Sequence, residues 1–361
     1  MIIDAYAQVG GIPMRRAPVG FPELFGEMER MGVSRAAVYG LRGLHADARK
    51  GNDQVLAAAA GDARIVPTAV FAPHAGMLDV PALLSDAVSR GAAAVAISIT
   101  PALNTSTLSF RRTLKQAAAT GLPIVACGAV SPGVITALAE ATAGLGCRLM
   151  FAGAFYGLID ELIAVLEEHP HTYAETSWQL SPGCIELLVE AAGPDRVLFG
   201  SGAPVRPVLP ALNMVVDADL EDDVKRRILA GNAIAFYGLD EAESDSLDAP
   251  LPRVEIPATS AIDVHNHLGT MPHMSASVRD AEAIEQLASA AGMEYSICSS
   301  YVAYREDMDA GNRELLDVMS ARPKLLGSPT ISPTHFEDSL RWLDMFDRND
   351  RLAHATLMID T

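Results

Sequence analysis

Short apolar runs rich in valine, isoleucine and alanine recur along the first 240 residues of the chain. These runs are apolar throughout instead of alternating with polar residues, which is typical of strands covered on both faces of a parallel sheet. The pattern predicts eight strands, over Ile2–Val9, Ala36–Leu41, Arg64–Phe71, Ala94–Ile99, Pro123–Cys127, Arg148–Ala152, Thr172–Thr176 and Arg196–Gly200.

Segments with helical spacing of their alanine and leucine residues separate these strands. They are Pro22–Met31, Asn52–Ala60, Val80–Arg90, Phe110–Thr120, Gly133–Ala143, Leu158–Glu168, Pro182–Ala192 and Glu221–Ala230. Eight strand–helix units in this length predict an α/β fold of the (β/α)8 TIM barrel type. A doubly wound open sheet is the rival, but it would place a glycine-rich turn after its first strand, and Gly10-Gly11 does not match that fingerprint.

The pattern then starts a second time. Residues 241–260 are rich in acids, proline and serine, which indicates a linker. After it, Ile262 to Gly269 align with Ile3 to Gly10 at an offset of 259, and Lys324–Pro333 align with Arg64–Pro73 at an offset of 260. This near-constant offset predicts a domain duplication, with one barrel over 1–240 and about four strand–helix units of a second barrel over 261–361.

Half a barrel would leave an unpaired sheet edge and an uncovered apolar face. We therefore expect either that the natural chain continues beyond Thr361 or that the second copy packs on the first barrel or on another chain. A homo-oligomer or barrel–barrel packing would satisfy the second alternative.

The composition disfavours several classes of binding partner. The net charge is −18, from 27 basic and 45 acidic residues, which disfavours nucleic acid and anionic membrane surfaces. No apolar run reaches the ~18 residues of a membrane span. The N-terminus has no pattern of a signal peptide, and the four cysteines are too scattered for a disulfide framework. We expect a cytoplasmic protein that acts on a small molecule.

One motif carries metal chemistry. His265 and His267 lie two residues apart on the first strand of the second copy, so they are expected to share one face. At the C-terminal end of a barrel strand that face opens on the active-site mouth, and two imidazoles there suit a divalent metal, particularly zinc. The alternative is a chance pair. The second such pair, His169 and His171, spans Pro170 at a helix end and is interpreted as structural.

Both copies open with an apolar pair followed by Asp, in IIDAYAQVG and AIDVHNHLG, and the second continues with His-x-His. Residues 196–204 read RVLFGSGAP, and Gly231-Asn232 with Tyr237-Gly238 follow in the last helical segment of the first copy. These motifs resemble the first strand, the eighth strand (usually RVLFGSDxP) and the closing helix of the amidohydrolase-related metal-dependent enzymes of the amidohydrolase 2 type.

The resemblance implies a metal held by His-x-His on strand one, a histidine on strand five and an aspartate on strand eight, with another histidine after strand six. The first copy departs from this pattern at every one of these positions, which are occupied by Tyr6, Gln8, Cys127, Ala152 and Gly202. We therefore expect the first barrel to hold no metal and to be non-catalytic.

The resemblance thus implies a metal-dependent hydrolase, or a related decarboxylase, of a small organic substrate, with the chemistry in the second copy. The alternative is a catalytically inactive pseudoenzyme that acts as a binding or scaffold partner. His265 and His267 are the predicted metal ligands, and catalytic residues are not assigned. Neither copy in this sequence has a complete ligand set, so a divalent metal, zinc by expectation, is expected only for a complete second barrel. Asp360 and His273 are weaker ligand candidates, more simply explained as a charged strand end and a solvated loop histidine.

Overall fold

The computed structural model describes residues 1–11, 19–71, 79–99, 104–128, 131–181, 183–240, 251, 261–270, 278–350 and 352–357. The chain divides into two compact units, Met1–Val254 and Glu255–Thr361. Nearly all of the predicted linker, together with His74, His273 and Asp360, lies outside the described residues.

The first unit is built on eight parallel strands in sequential order. Backbone hydrogen bonds close this sheet, because the N–H of Ala5 donates to the carbonyl of Phe199 and the N–H of Gly202 donates to that of Tyr6. The predicted TIM-like α/β barrel is therefore confirmed. Its strands are β1 (Ile3–Val9), β2 (Arg35–Gly40), β3 (Ile65–Phe71), β4 (Ala94–Ser98), β5 (Ile124–Cys127), β6 (Leu149–Ala152), β7 (Thr172–Glu175) and β8 (Val197–Leu198).

Helices follow the strands and cover the outside of this sheet. N-cap side chains stabilise the starts of several helices: Asp47 accepts from the Lys50 N–H, and Thr107 accepts from the Phe110 N–H. The helices are α1 (Phe21–Met31), α2 (Leu41–His45), α3 (Ala48–Ala59), α4 (Val80–Ser89), α5 (Leu108–Ala118), α6 (Pro132–Thr142), α7 (Ile159–Glu168), α8 (Cys184–Ala192), α9 (Val208–Val216), α10 (Asp222–Arg226) and α11 (Asn232–Tyr237).

Alternation along each strand divides the core into two layers. On β5, Ile124 and Ala126 belong to the cluster that packs on the helices, whereas Val125 and Cys127 belong to the cluster inside the barrel. The interior cluster extends to α11, where the Tyr237 hydroxyl donates to the Ala5 carbonyl over 2.8 Å. The barrel interior is thus a packed core, and chemistry is confined to its mouth.

The second unit contains two small sheets. One is four-stranded, in the order β10-β9-β11-β12, and the other pairs β13 with β14. The strands are β9 (Ala261–Thr270), β10 (Val278–Arg279), β11 (Met293–Ser300), β12 (Leu325–Gly327), β13 (Thr330–Ile331) and β14 (Thr356–Leu357). The helices are α12 (Ala281–Ala290), α13 (Tyr301–Arg305), α14 (Met308–Ala321) and α15 (Phe336–Asp347). These sheets do not by themselves form a barrel.

The same side-chain clamp occurs in both units. The Asn52 amide donates to the Val70 carbonyl over 2.8 Å and accepts from the Val70 N–H over 2.7 Å. Asn312 makes the same pair of bonds to Thr330, at 2.8 and 2.9 Å. Both residues of each pair are separated from their counterparts by 260 positions, so the clamp follows the predicted offset.

Strand register follows that offset as well. Val70 pairs with Ala96 in the first unit, and Thr330 pairs with Thr356 in the second. The first strands share an irregularity, because the register shifts between Asp4 and Ala7 on β1 and between Asp263 and Asn266 on β9. The asparagine clamp and these two register features therefore recur at the predicted offset.

Candidate functional site

At the mouth of the first barrel, neutral groups occupy the two positions where the family's pattern has histidines. The Gln8 amide donates to the Gly202 carbonyl and accepts from the Tyr39 hydroxyl, each over 3.0 Å. The Tyr6 ring packs on Tyr39 with centroids 5.2 Å apart. Burial raises the pKa of Tyr6 and that of Tyr39 well above the ordinary tyrosine value, so both phenols stay protonated. A neutral phenol and an engaged amide are poor metal ligands.

The remaining family positions offer no better donors. Cys127 is buried at the end of β5, and desolvation raises the pKa of its thiol, which disfavours the thiolate that a metal needs. Ala152 and Gly202 have no side-chain donor atom, and Gly202 has φ +74°, in the left-handed region that favours glycine. The described residues at this mouth therefore do not fit a metal ion.

Two buried carboxyl groups lie beside this cluster, and sequence reasoning gave neither of them a role. Asp4 accepts hydrogen bonds from the backbone N–H groups of Tyr6 and Ser201, at 2.9 and 3.0 Å, and from the Ser201 hydroxyl. Desolvation outweighs these three donors and raises the pKa of Asp4 to about 6. Asp4 thus ties β1 to the segment that follows β8.

Glu175 plays the same part at the end of β7. Its carboxylate accepts from the Gly153 N–H over 2.6 Å, from the Ser177 N–H over 2.7 Å and from the Ser177 hydroxyl over 2.8 Å. Burial raises the pKa of Glu175 to about 7. A Cβ at Gly200 would overlap Glu175 Oε2, so glycine there leaves room for the carboxyl group. Both carboxyl groups therefore link neighbouring segments of the barrel through hydrogen bonds.

The second unit brings the predicted histidine pair together. The Nε2 atoms of His265 and His267 lie 3.1 Å apart, with ring centroids separated by 4.7 Å. Two nitrogens each ~2.0–2.1 Å from one ion would be about 3 Å apart. The pair therefore fits two ligands of a single divalent metal.

Neighbouring groups hold this pair in place. His267 stacks on Tyr301, with centroids 4.5 Å apart and ring planes 25° apart, and its Nδ1 lies 2.8 Å from the Ser299 hydroxyl. Asp263 accepts from the His265 N–H over 3.1 Å and from the Asn266 amide over 2.9 Å, which shapes the irregular stretch of β9. Within the described part of the chain, no group of three or more His, Cys, Asp or Glu is placed to hold a metal ion.

Other histidines and cysteines that the sequence singles out have structural surroundings. His171 Nε2 lies 2.9 Å from the Thr142 hydroxyl, and its ring centroid is 5.8 Å from that of His169. Cys298 is buried in the core of the second unit. Among the helices that the structure describes, none combines the length and the apolar character needed to cross a bilayer.

Comparisons with known proteins address the first unit. The amidohydrolase family model, Amidohydro_2, matches residues 11–239, a range that begins just after Tyr6 and Gln8. No curated protein matches the chain.

Solved structures with the same fold include 5-carboxyvanillate decarboxylase from Sphingomonas paucimobilis, at 15% identity and TM-score 0.52, covering 66% of this chain and 99% of that one. An amidohydrolase 2 from Bifidobacterium longum subsp. infantis has 17% identity and TM-score 0.50, covering 66% and 99%. A dihydroxybenzoic acid decarboxylase from Polaromonas sp. JS666, bound to manganese and 2-nitroresorcinol, has 13% identity and TM-score 0.54, covering 67% and 98%.

At these identities the solved structures support the barrel fold alone. The family match is independent of them and spans more than half of the sequence. The chain belongs to the amidohydrolase family.

Proposed function

We propose that this protein is a metal-dependent hydrolase or decarboxylase of a small organic substrate, with its metal held in the second unit and its first barrel acting as a non-catalytic copy. The observation that carries the proposal is the 3.1 Å separation of the Nε2 atoms of His265 and His267. The contrast with Tyr6 and Gln8, which are 259 positions earlier, supports the proposal that the two units have different tasks.

We also propose that the second unit is the first half of a duplicated barrel. The recurring asparagine clamp, the common shift on the first strand and the matching register of the third and fourth strands support this proposal. Apolar positions that are covered in one copy are open in the other: Ile3 and Ala5 are 0% and 2% exposed, whereas Ile262 and Val264 are 50% and 62% exposed. Such exposure is what half a barrel would show.

A divalent metal fits the imidazole pair, and we expect zinc, although the Polaromonas relative contains manganese. Such an ion would polarise a carbonyl or carboxylate of the substrate or acidify a bound water. His265 and His267 would supply two nitrogen ligands, and a catalytic zinc usually has three protein ligands. Hydrolase and decarboxylase both fit this donor set.

A second candidate function is binding without catalysis. It is favoured by the first barrel, where the Gln8 amide is already bonded to both Tyr39 and Gly202 and is therefore not available to a metal ion. A scaffold or ligand-binding protein needs only the fold.

Metal titration of the purified full chain by calorimetry separates these candidates. We expect weak binding of about one Zn²⁺ or Mn²⁺ per chain, since the described residues supply two of the usual three protein ligands, and loss of that binding in the variant His265→Ala/His267→Ala. The matched control, His169→Ala/His354→Ala, removes the same number of histidines elsewhere and should bind as the wild type does. Binding that survives loss of His265 and His267, or no binding by the wild type, would overturn the metal-site proposal and favour a scaffold.

A further inference from the structure

Ser299 lies beside His267 on the neighbouring strand. The two residues are register partners in the parallel pairing of β11 with β9, and the Ser299 hydroxyl is 2.8 Å from His267 Nδ1. Ser299 is 4% exposed, so water does not compete freely for this contact. The hydroxyl therefore meets the ring nitrogen that faces away from His265.

A neutral imidazole has one N–H group and one lone pair, and the hydrogen bond at one nitrogen decides which form is present. A metal bound at Nε2 needs the lone pair there, so the proton must be on Nδ1. The Ser299 hydroxyl can accept a hydrogen bond from that N–H group. The stacked Tyr301 ring opposes rotation of the imidazole out of this geometry.

The equivalent position supports the first strand in the other unit as well. Tyr39 is 260 positions before Ser299, and its hydroxyl donates to Gln8 Oε1 over 3.0 Å. Gln8 is 259 positions before His267. In both units, then, a hydroxyl on the second parallel strand contacts the side chain of its register partner on the first strand.

We infer that Ser299 is a positioning residue that holds His267 in its Nδ1–H form, with the Nε2 lone pair directed toward His265. This inference rests on the proposed metal site, but the tautomer exists without the metal. It can therefore be measured on the metal-free protein.

The test is a long-range ¹H–¹⁵N spectrum of the full chain labelled at histidine, at about pH 8, where an imidazole with the ordinary pKa of ~6.5 is neutral. We expect His267 to be protonated at Nδ1 in the wild type and to lose this preference in Ser299→Ala. Zn²⁺ affinity should fall 10–100-fold in that variant, as is typical when a partner of a ligating histidine is removed. Ser299→Thr keeps the hydroxyl and should restore both properties.

Ser296→Ala is the matched control, because Ser296 is a buried serine on the same strand whose hydroxyl has no hydrogen-bond partner among the described residues. It should leave the tautomer and the Zn²⁺ affinity unchanged. Protonation of His267 at Nε2 in the wild type overturns the inference, as does an unchanged tautomer and affinity in Ser299→Ala. Absence of Zn²⁺ binding by the wild type instead refutes the proposed metal site, and the spectrum still decides the role of Ser299.

Discussion

Removal of the asparagine clamp should destabilise each unit separately. Asn52→Ala deletes both hydrogen bonds to Val70 and leaves that residue's N–H and carbonyl without these partners in a site where Val70 is 1% exposed. A buried backbone group that loses its partner costs about 1–3 kcal/mol. Two such groups predict a loss of about 2–6 kcal/mol, a large part of the ~5–15 kcal/mol that stabilises a typical domain. Asn312→Ala should cost the second unit a similar amount, because Asn312 and Thr330 are both fully buried.

Each unit has its own fluorescent reporter. The sequence contains two tryptophans, Trp178 in the first unit and Trp342 in the second. Denaturant unfolding of two single-tryptophan forms, Trp342→Phe and Trp178→Phe, therefore follows the units separately. We expect Asn52→Ala to shift the transition of Trp178, and Asn312→Ala to shift that of Trp342.

Asn349→Ala serves as the control, since this exposed asparagine only donates to a helix-end carbonyl and a surface change of this kind usually alters stability by less than ~0.5 kcal/mol. A loss below about 1 kcal/mol in the unit that carries the clamp variant would refute the claim that the clamp satisfies buried backbone groups.

The remaining predictions concern the first barrel. Since burial raises the pKa of Glu175 to about 7 and that of Asp4 to about 6, the folded unit holds protons that the unfolded chain releases, so the contribution of these two acids to stability is greatest below about pH 4 and is lost as the pH rises through these values. The free energy of unfolding of Glu175→Gln should fall by about 3 kcal/mol less than that of the wild type over this pH range, measured in denaturant titrations followed by Trp178 fluorescence. The same fall in both proteins would contradict the raised pKa of Glu175. Gly200→Ala forces a Cβ into Glu175 and should cost about 1–3 kcal/mol more than Gly133→Ala in α6, where the φ is not positive and the added Cβ has no neighbour within 4 Å; equal losses would show that the space is not needed. The buried Cys127 thiol should react with a thiol reagent only after unfolding, and prompt labelling of the native protein at this residue would contradict its burial.

Hydrophobic pattern predicted the first barrel because its strands are buried on both faces and every unit repeats. Helix α9 was missed because the prolines at positions 207 and 210 suggest a break in helical structure. A helix nevertheless tolerates a proline in its first turn. The predicted helix Glu221–Ala230 is instead α10 followed by a π-helical turn over Arg227–Gly231, because hydrogen-bond spacing within a helix is not encoded in apolar periodicity.

The candidate site was only partly accessible to such reasoning. The convergence of His265 and His267 follows from their spacing of two residues on a strand. Ser299 gave no signal, because its relation to His267 depends on strand register between segments 32 residues apart. Asp4 and Glu175 gave none either, since Asp4 is bonded to Ser201, which is 197 residues away, and Glu175 is bonded to Gly153 and lies in the space left by Gly200.

We propose metal binding for the second unit and not for the first barrel. Anomalous diffraction from crystals of the full chain grown with Mn²⁺ or Zn²⁺ tests it most directly. We expect an anomalous peak within ~2.0–2.3 Å of the Nε2 atoms of His265 and His267 and none at the mouth of the first barrel. A peak among Tyr6, Gln8 and Cys127, with none at the histidine pair, would contradict it.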